Sequence, residues 1–509
     1  MEENIEITGI EIAESPKPAR RRSSFAGDVL KLATGTAVAQ ALSLISVPIL
    51  TRLFSPEAFG GLTIFTSIHG LLTVIVCLRY EFAIMLPERD QQAANLLGLS
   101  LAAAAIFSSA ILPAVWLGGK SLAGALKAND IEPYLWFLFP TVLFTGFGLA
   151  LNYWNSRTRR FGRLSIYRAL NSGLAVVSQL IMGFLGVLNS GGLIFGMAFG
   201  AVISTTVLLL QIWRDDARIF LENIRLRAML TEARRYKKFP LISSWSGLLN
   251  TLSWQMPAFL LSSFFSTTVV GYYGLSYRML HFPMSLIGAS IGQVFFQRAS
   301  VAFAEGNLGP LVESTFRRLV MFGLFPFLAL AFTGKEVFQV ILGARWAEAG
   351  VYTQILSLWA FFWFISSPMS QLFNVLEKQE FGLWINVLLI ITRFLSLYIG
   401  GILGDPRAAL ALFGGTGVLV YGYMNLTIMA KANMPWGKSF RIILENLALF
   451  LPAAGILMLV KAFALPPLAI CAVTLVILGL YGLYVLQKDA ILSAQIKALS
   501  DKVQRQMAR

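Results

Sequence analysis

Charge is scarce in this chain of 509 residues: 13% of them are Asp, Glu, Lys or Arg, about half the roughly 25% of a soluble domain. Histidine and cysteine are rarer still, with two of each. Both cysteines, Cys77 and Cys471, fall inside apolar runs, so neither a disulfide framework nor a thiolate metal cluster is expected. Two histidines and no clustered carboxylates leave no catalytic or metal-binding constellation; the sequence predicts no enzyme, no metal site and no cofactor. No Gly-x-x-x-x-Gly-Lys-Ser/Thr loop is present, which argues against direct ATP hydrolysis. Nor do ten-residue segments of alternating apolar and polar residues occur, which argues against a membrane barrel.

What fills the chain instead is apolar sequence, 56% of all residues. Between residues 26 and 487 apolar runs recur between short polar breaks. Each run of about 20–27 residues is long enough to cross a hydrocarbon core of ~30 Å as a helix, and helices satisfy their own backbone in lipid. Fourteen such runs are read, among them 26–51, 59–86, 270–297 and 381–402. The fold class predicted is an all-α polytopic membrane protein.

Basic residues set the orientation. Of 41 Lys and Arg, thirty fall on the N-terminal side of the membrane, seven on the other and four within runs. The positive-inside rule then places both termini in the cytoplasm. The excess of charge, +15, flanks membrane helices, so no nucleic-acid partner is expected. The first residues begin acidic and turn basic at PKPARRR, which reads as a cytoplasmic tail and not as a cleaved signal.

The chain also repeats itself. LFSPEAFGGL (53–62) and FFSTTVVGYYGL (264–275) each carry Phe-Ser with a glycine six residues after the Phe, namely Gly60 and Gly271. Pro48 and Pro257 precede the two phrases, and NSRTRRFG (155–162) is echoed by NVLEKQEFG (374–382). Six runs separate the two copies, so the halves share one orientation. The expected organisation is a tail (1–25), a six-helix bundle (26–213), a cytoplasmic linker (214–240), a second, parallel six-helix bundle (241–430) enclosing a central cavity with the first, two additional helices (440–487) and a tail (488–509).

Polar residues inside the runs fall on helical faces: Thr36, Gln40 and Ser43; Thr66, His69, Thr73 and Tyr80; Ser243, Ser246, Asn250 and Trp254; Ser367, Gln371 and Asn374. Such stripes serve either as hydrogen-bonding glue between helices or as the lining of a wet cavity. The arginines decide more, since each costs ~3 kcal/mol or more at the bilayer centre unless solvated or paired. Arg168 lies a turn from the end of its run and is expected to snorkel. Arg393 lies twelve residues into its run, about 18 Å at a rise of 1.5 Å per residue, too deep to snorkel easily. Arg278 is seven residues into its run, with His281 on the next turn.

Arg79 and Glu81 are two apart and would project to nearly opposite sides of a regular helix. Arg79 then either snorkels or lines the cavity. Glu81 either pairs with an arginine of another helix or is a proton- or sodium-linked carboxylate. Four arginines against one glutamate make the expected cavity electropositive, suited to an anionic passenger. The candidate substrate-binding residues are Arg393, Arg278, Arg79, His281, Asn250 and Gln40, and the candidate ion-coupling residue is Glu81. Trp254, Trp363 and Tyr277 are among the aromatics that can stack on sugar rings or anchor at the interface.

ILTRLFSPEAFGGLTIF (49–65) and LRYEFAIMLP (78–87), with the plan of two six-helix halves and two more helices, carry a resemblance. Over roughly residues 25–487 the chain resembles the bacterial polysaccharide-repeat-unit flippases (Wzx-type O-antigen and exopolysaccharide transporters) of the multidrug/oligosaccharidyl-lipid/polysaccharide exporter superfamily. The resemblance implies a V-shaped pair of bundles in the bacterial inner membrane. It implies a passenger that is a polyprenyl-pyrophosphate-linked oligosaccharide, moved from the cytoplasmic to the outer leaflet and received by cationic residues. The bilayer is then a partner, and a polysaccharide polymerase complex is a further one that the resemblance allows. The alternatives are an ion-coupled exporter of small drugs or metabolites and a membrane polymerase or ligase of lipid-linked sugars, the latter disfavoured by short outer segments such as 334–349.

Overall fold

The computed structural model describes residues 25–284 and 289–488. The two terminal tails, and the cytoplasmic placement expected for the termini, lie outside these residues, as does the middle of the run at 270–297. Every regular element described is helical. Among the described residues eleven helices are long and apolar enough to cross a membrane, so the chain is a multi-pass membrane protein. Of the three remaining expected spans, 164–188 and 241–265 coincide with helices that carry polar stripes, whereas 270–297 falls on the 17-residue helix Thr267–Pro283 and runs on past the described residues; the count of fourteen stays an expectation.

The first apolar run forms two helices, α1 (Phe25–Ile45) and α2 (Val47–Leu53). They part at Ser46 because Pro48, in the first turn of α2, has no N–H to continue the ladder. The second run also breaks. After α3 (Pro56–Ile75), Leu78 and Arg79 adopt left-handed backbone (φ 51° and 62°), and a single helical turn, α4 (Tyr80–Ala83), follows. Two non-glycine residues in this conformation cost roughly 1–2 kcal/mol each, which the packing of their neighbours offsets. The break overturns two expectations. Arg79 and Glu81 do not face apart but form an ion pair at 4.0 Å. Tyr80 leaves the His69 face, and its hydroxyl donates to the Ala233 carbonyl at 3.2 Å.

The N-terminal set continues through α5 (Asp90–Ala125), α6 (Leu138–Arg157), α7 (Phe161–Phe184) and α8 (Ser190–Asn223). The linker segment holds the end of α8 and a short helix, α9 (Leu226–Arg235). The C-terminal set comprises α10 (Ser244–Phe264), α11 (Thr267–Pro283), α12 (Ala289–Ala304), α13 (Leu308–Leu342), α14 (Ala347–Met369), α15 (Leu372–Val375), α16 (Gln379–Ile402) and α17 (Pro406–Lys431). The last two helices, α18 (Trp436–Ala462) and α19 (Pro467–Lys488), both pack on α13.

The repeated phrases fold alike. Phe54 and Phe265 end α2 and α10, and the next residue in each copy, Ser55 or Ser266, caps the following helix by accepting from the N–H three residues on. The two glycines then meet. A Cβ on Gly60 would strike the Thr267 carbonyl, and one on Gly271 would strike the Pro56 carbonyl, so α3 and α11 cross backbone to backbone there. The other echo is a shared turn. Arg159 (φ 55°) and Glu377 (φ 53°) are both left-handed, and the next N–H reaches back five residues, Arg160 to Asn155 and Lys378 to Phe373, at 2.8 Å each.

The crossing lies at an end of the molecule where the two sets grip each other reciprocally. Arg345, after α13, donates to the Thr51 carbonyl at 2.8 Å and to the Arg52 carbonyl, both in the last turn of α2. The adjoining Trp346 Nε1 also donates to the Thr51 carbonyl, at 2.9 Å. In the other direction Lys127, after α5, donates to the Phe264 carbonyl at the end of α10 at 3.0 Å. Each cation thus docks on the negative end of a helix in the opposite set. At the other end, Asp216 accepts from Arg160 at 2.8 and 3.0 Å and from Trp154 at 2.9 Å within the N-terminal set, while Arg317 pairs with Glu445 and Lys438 with Glu313 between α13 and α18.

Candidate functional site

α10, α14, α16 and α17 enclose a cavity of about 740 Å³. Its polar lining follows helical spacing: Ser246, Asn250 and Ser253 on α10, Ser367, Gln371 and Asn374 on α14–α15, and Asn386 and Arg393 on α16. Arg393 stands at its deep end. Only 4% exposed, it donates through Nη1 to Ser253 Oγ at 2.8 Å and through Nη2 to the Tyr421 hydroxyl at 2.9 Å. Its guanidinium lies 4.1 Å from the centre of the Trp254 ring, a cation–π distance. Among the described residues no carboxylate pairs with it. The hydroxyl of Ser396, one turn further along α16, donates to the backbone carbonyls of Thr392 and Arg393 and not to the guanidinium.

Trp254 also begins an aromatic wall. Its ring centre is 4.8 Å from that of Trp363, which lies 5.1 Å from Trp359, 5.2 Å from His281 and 5.7 Å from Tyr277. Beyond Trp254 a second chamber of about 350 Å³ lies between α3, α10 and α11, lined by Thr63, Gln255, Tyr277 and Arg278 among others. A third space, about 170 Å³, adjoins it and holds Gln40, Ser43, Arg278 and His281.

The candidate residues therefore fall into three groups. Arg393 and Asn250 share the large cavity; Arg278, His281 and Gln40 share the small one between α1 and α11; Arg79 and Glu81 sit at the break before α4. Arg278 is held by the Ser43 carbonyl at 3.1 Å and by the Ser43 hydroxyl. Arg79 leaves no room for a Cβ on Gly247, a lining residue of the large cavity, which puts its guanidinium at that cavity's edge. Glu81 is buried, and its Oε2 has no hydrogen-bond partner. Arg168 donates to Thr36 of α1 at 2.7 Å.

Sequence reasoning missed Ser253, Asn386 and Tyr421. Ser253 and Asn386 carried a signal, since Ser246, Asn250 and Ser253 keep helical spacing and Asn386 lies two turns before Arg393. Tyr421 carried none.

An electropositive, aromatic-lined cavity within a membrane-helix bundle defines a transporter-like class of protein. The family described as "Polysaccharide biosynthesis protein" matches residues 49–351, and the chain belongs to it. A comparison with curated proteins finds no match. Among solved structures the chain is similar to "Lipid II flippase MurJ, inward closed conformation", with 12% identity, a TM-score of 0.68, and 90% of this chain and 99% of that one covered. It is also similar to a multidrug resistance MATE family transporter of the MOP superfamily in an inward-facing conformation, with 16% identity, a TM-score of 0.64, and coverage of 80% and 98%. Against an outward-facing structure of such a transporter the identity is 16%, the TM-score 0.52, and the coverage 80% and 96%. At these identities the likeness is one of fold.

Proposed function

We propose that this protein is a flippase that carries a polyprenyl-pyrophosphate-linked oligosaccharide repeat unit from the cytoplasmic to the outer leaflet by alternating access. It performs no chemical step on its passenger. One observation carries the reading: Arg393 is buried at the deep end of a polar cavity among hydroxyls and an aromatic face, with no carboxylate paired to it among the described residues. A buried cation without a counter-ion favours an incoming anion, and a guanidinium grips phosphate oxygens in a bidentate way. Membership of a polysaccharide biosynthesis family supports a sugar-bearing passenger, and the aromatic wall with Asn250 and Asn386 supplies ring faces and amides for it.

In this reading Arg79 stands at the entrance, and Arg278, His281 and Gln40 receive the passenger beyond Trp254. Glu81, with its unpartnered oxygen, links transport to an ion gradient. Segments 26–213 and 241–430 move as two bundles, and both termini are cytoplasmic in the bacterial inner membrane. The gripped end is then the outer one, in keeping with the better match to an inward-facing than to an outward-facing transporter. The likeness to multidrug transporters favours a second reading, a small-molecule exporter, but the cavity's sign argues against cationic drugs.

The test is Arg393→Ala in cells. Surface polysaccharide is expected to be lost, with lipid-linked repeat units retained in the cytoplasmic leaflet and the protein inserted at the parent level. Arg393→Lys, which keeps the charge but not the planar fork, is expected to restore part of the function. Full surface polysaccharide in Arg393→Ala overturns the proposal.

A further inference from the structure

Residues 225–238 hold six basic side chains, Arg225, Arg227, Arg234, Arg235, Lys237 and Lys238, against one acidic one, Glu232. α9 sorts this segment into two faces. Its inner face packs on α5, with Met229 beside Gly98 and Glu232 buried. Its entry is fixed as well: the Asn95 side chain donates to the Asn223 carbonyl at 2.9 Å and accepts from the Arg225 N–H at 3.0 Å. The Tyr80 bond to Ala233 holds its far end.

The outer face combines Leu226 and Leu230, one turn apart and 71% and 52% exposed, with the exposed Arg227, Arg234 and Arg235. None of the six cations has an acidic partner among the described residues. Asn95 and Gly98, which anchor α9, lie five and eight residues past the start of α5, itself long and apolar enough to span a membrane. At 1.5 Å per residue this sets α9 about 8–12 Å in from the end of that helix, the depth of the boundary between headgroups and acyl chains. Leucines facing outward at that depth, ringed by cations, are the signature of an interfacial helix on an anionic surface.

We propose that the outer face of α9 is a docking site for anionic phospholipid headgroups. Leu226 and Leu230 enter the acyl boundary, and Arg227, Arg234 and Arg235 bind the phosphates. The site is separate from the cavity and independent of the passenger.

The test uses the full chain carrying Cys77→Ser, Cys471→Ser and Thr231→Cys, with a fluorophore on the new thiol of the outer face. The protein is reconstituted in vesicles of constant composition in which either phosphatidylglycerol or phosphatidylcholine has brominated acyl chains. At equal mole fraction, brominated phosphatidylglycerol is expected to quench several-fold more strongly. That preference is expected to vanish in the triple variant Arg227→Gln, Arg234→Gln, Arg235→Gln and to weaken at high salt. Leu226→Gln with Leu230→Gln is expected to reduce quenching by both lipids alike, which separates insertion from charge recognition. Equal quenching by the two lipids in the parent overturns headgroup recognition. No quenching by either means that protein or water covers the face and overturns the proposal outright.

Discussion

Arg393 stays buried because two hydroxyls and an indole replace part of its hydration shell. Tyr421 and Ser253 each take one donor from the guanidinium, and Trp254 covers its face. Removing one partner of a buried charged donor costs about 1–3 kcal/mol or more. Tyr421→Phe, which keeps the ring, is therefore expected to lower the thermal unfolding midpoint of the purified protein and to reduce transport; an unchanged midpoint and rate would show that the hydroxyl does not hold Arg393. Glu81 makes a different prediction. Glu81→Gln is expected to leave protein levels near normal and to weaken the dependence of flipping on an imposed proton or sodium gradient. Unchanged gradient dependence would return Glu81 to pairing with Arg79 alone. At this scale the sequence was partly legible. Arg393 stood out by depth and sign, but Tyr421 is on another helix, where nothing in the chain order ties it to position 393. The Arg79–Glu81 pair was hidden because neither glycine nor proline announces the break at Leu78. Packing imposes that turn, not local propensity.

Helices pair by what their glycines and caps allow. The Phe-Ser phrase followed by a glycine was visible as a repeat, and it becomes the same capped turn twice, with Gly60 and Gly271 meeting where α3 crosses α11. Its legibility has a physical basis, since an N-cap and a close backbone approach each demand particular residues. The cations that dock across this junction were legible only as charges outside the membrane; that Lys127 and Arg345 each reach a helix end of the opposite set depends on tertiary placement. A valine at Gly60 would collide with backbone, which cannot yield as a side chain can. Gly60→Val is expected to part the two sets at this end. In a Thr63→Cys background, where Thr63 lines the second chamber and both native cysteines are buried, a membrane-impermeant maleimide added from the gripped side should label the chain with Gly60→Val and not with Gly60. Equal labelling of the two would mean that the crossing does not close this end.

In the whole molecule two sets of helices are joined at one end by reciprocal contacts, with the large cavity inside the C-terminal set and the smaller chambers between the sets. The proposed cytoplasmic placement of both termini rests on loop charges, and it predicts that a reporter active only in the periplasm works when fused after Leu188 and is silent at Arg509. The all-helical class was legible from run length and composition alone; the number of spans was less so, because α7 and α10 carry polar stripes that dilute their hydropathy. The central claim is that an unpaired Arg393 receives the anionic headgroup of a lipid-linked oligosaccharide and that its passage depends on it. The most direct measurement is transbilayer movement of such a lipid in vesicles containing the purified protein, followed by a membrane-impermeant glycosidase that trims only outward-facing oligosaccharide. With the parent protein the whole pool is expected to become accessible; with Arg393→Ala of matched fold and incorporation, only the fraction that faced outward at the start. Movement at the parent rate in Arg393→Ala would contradict the account.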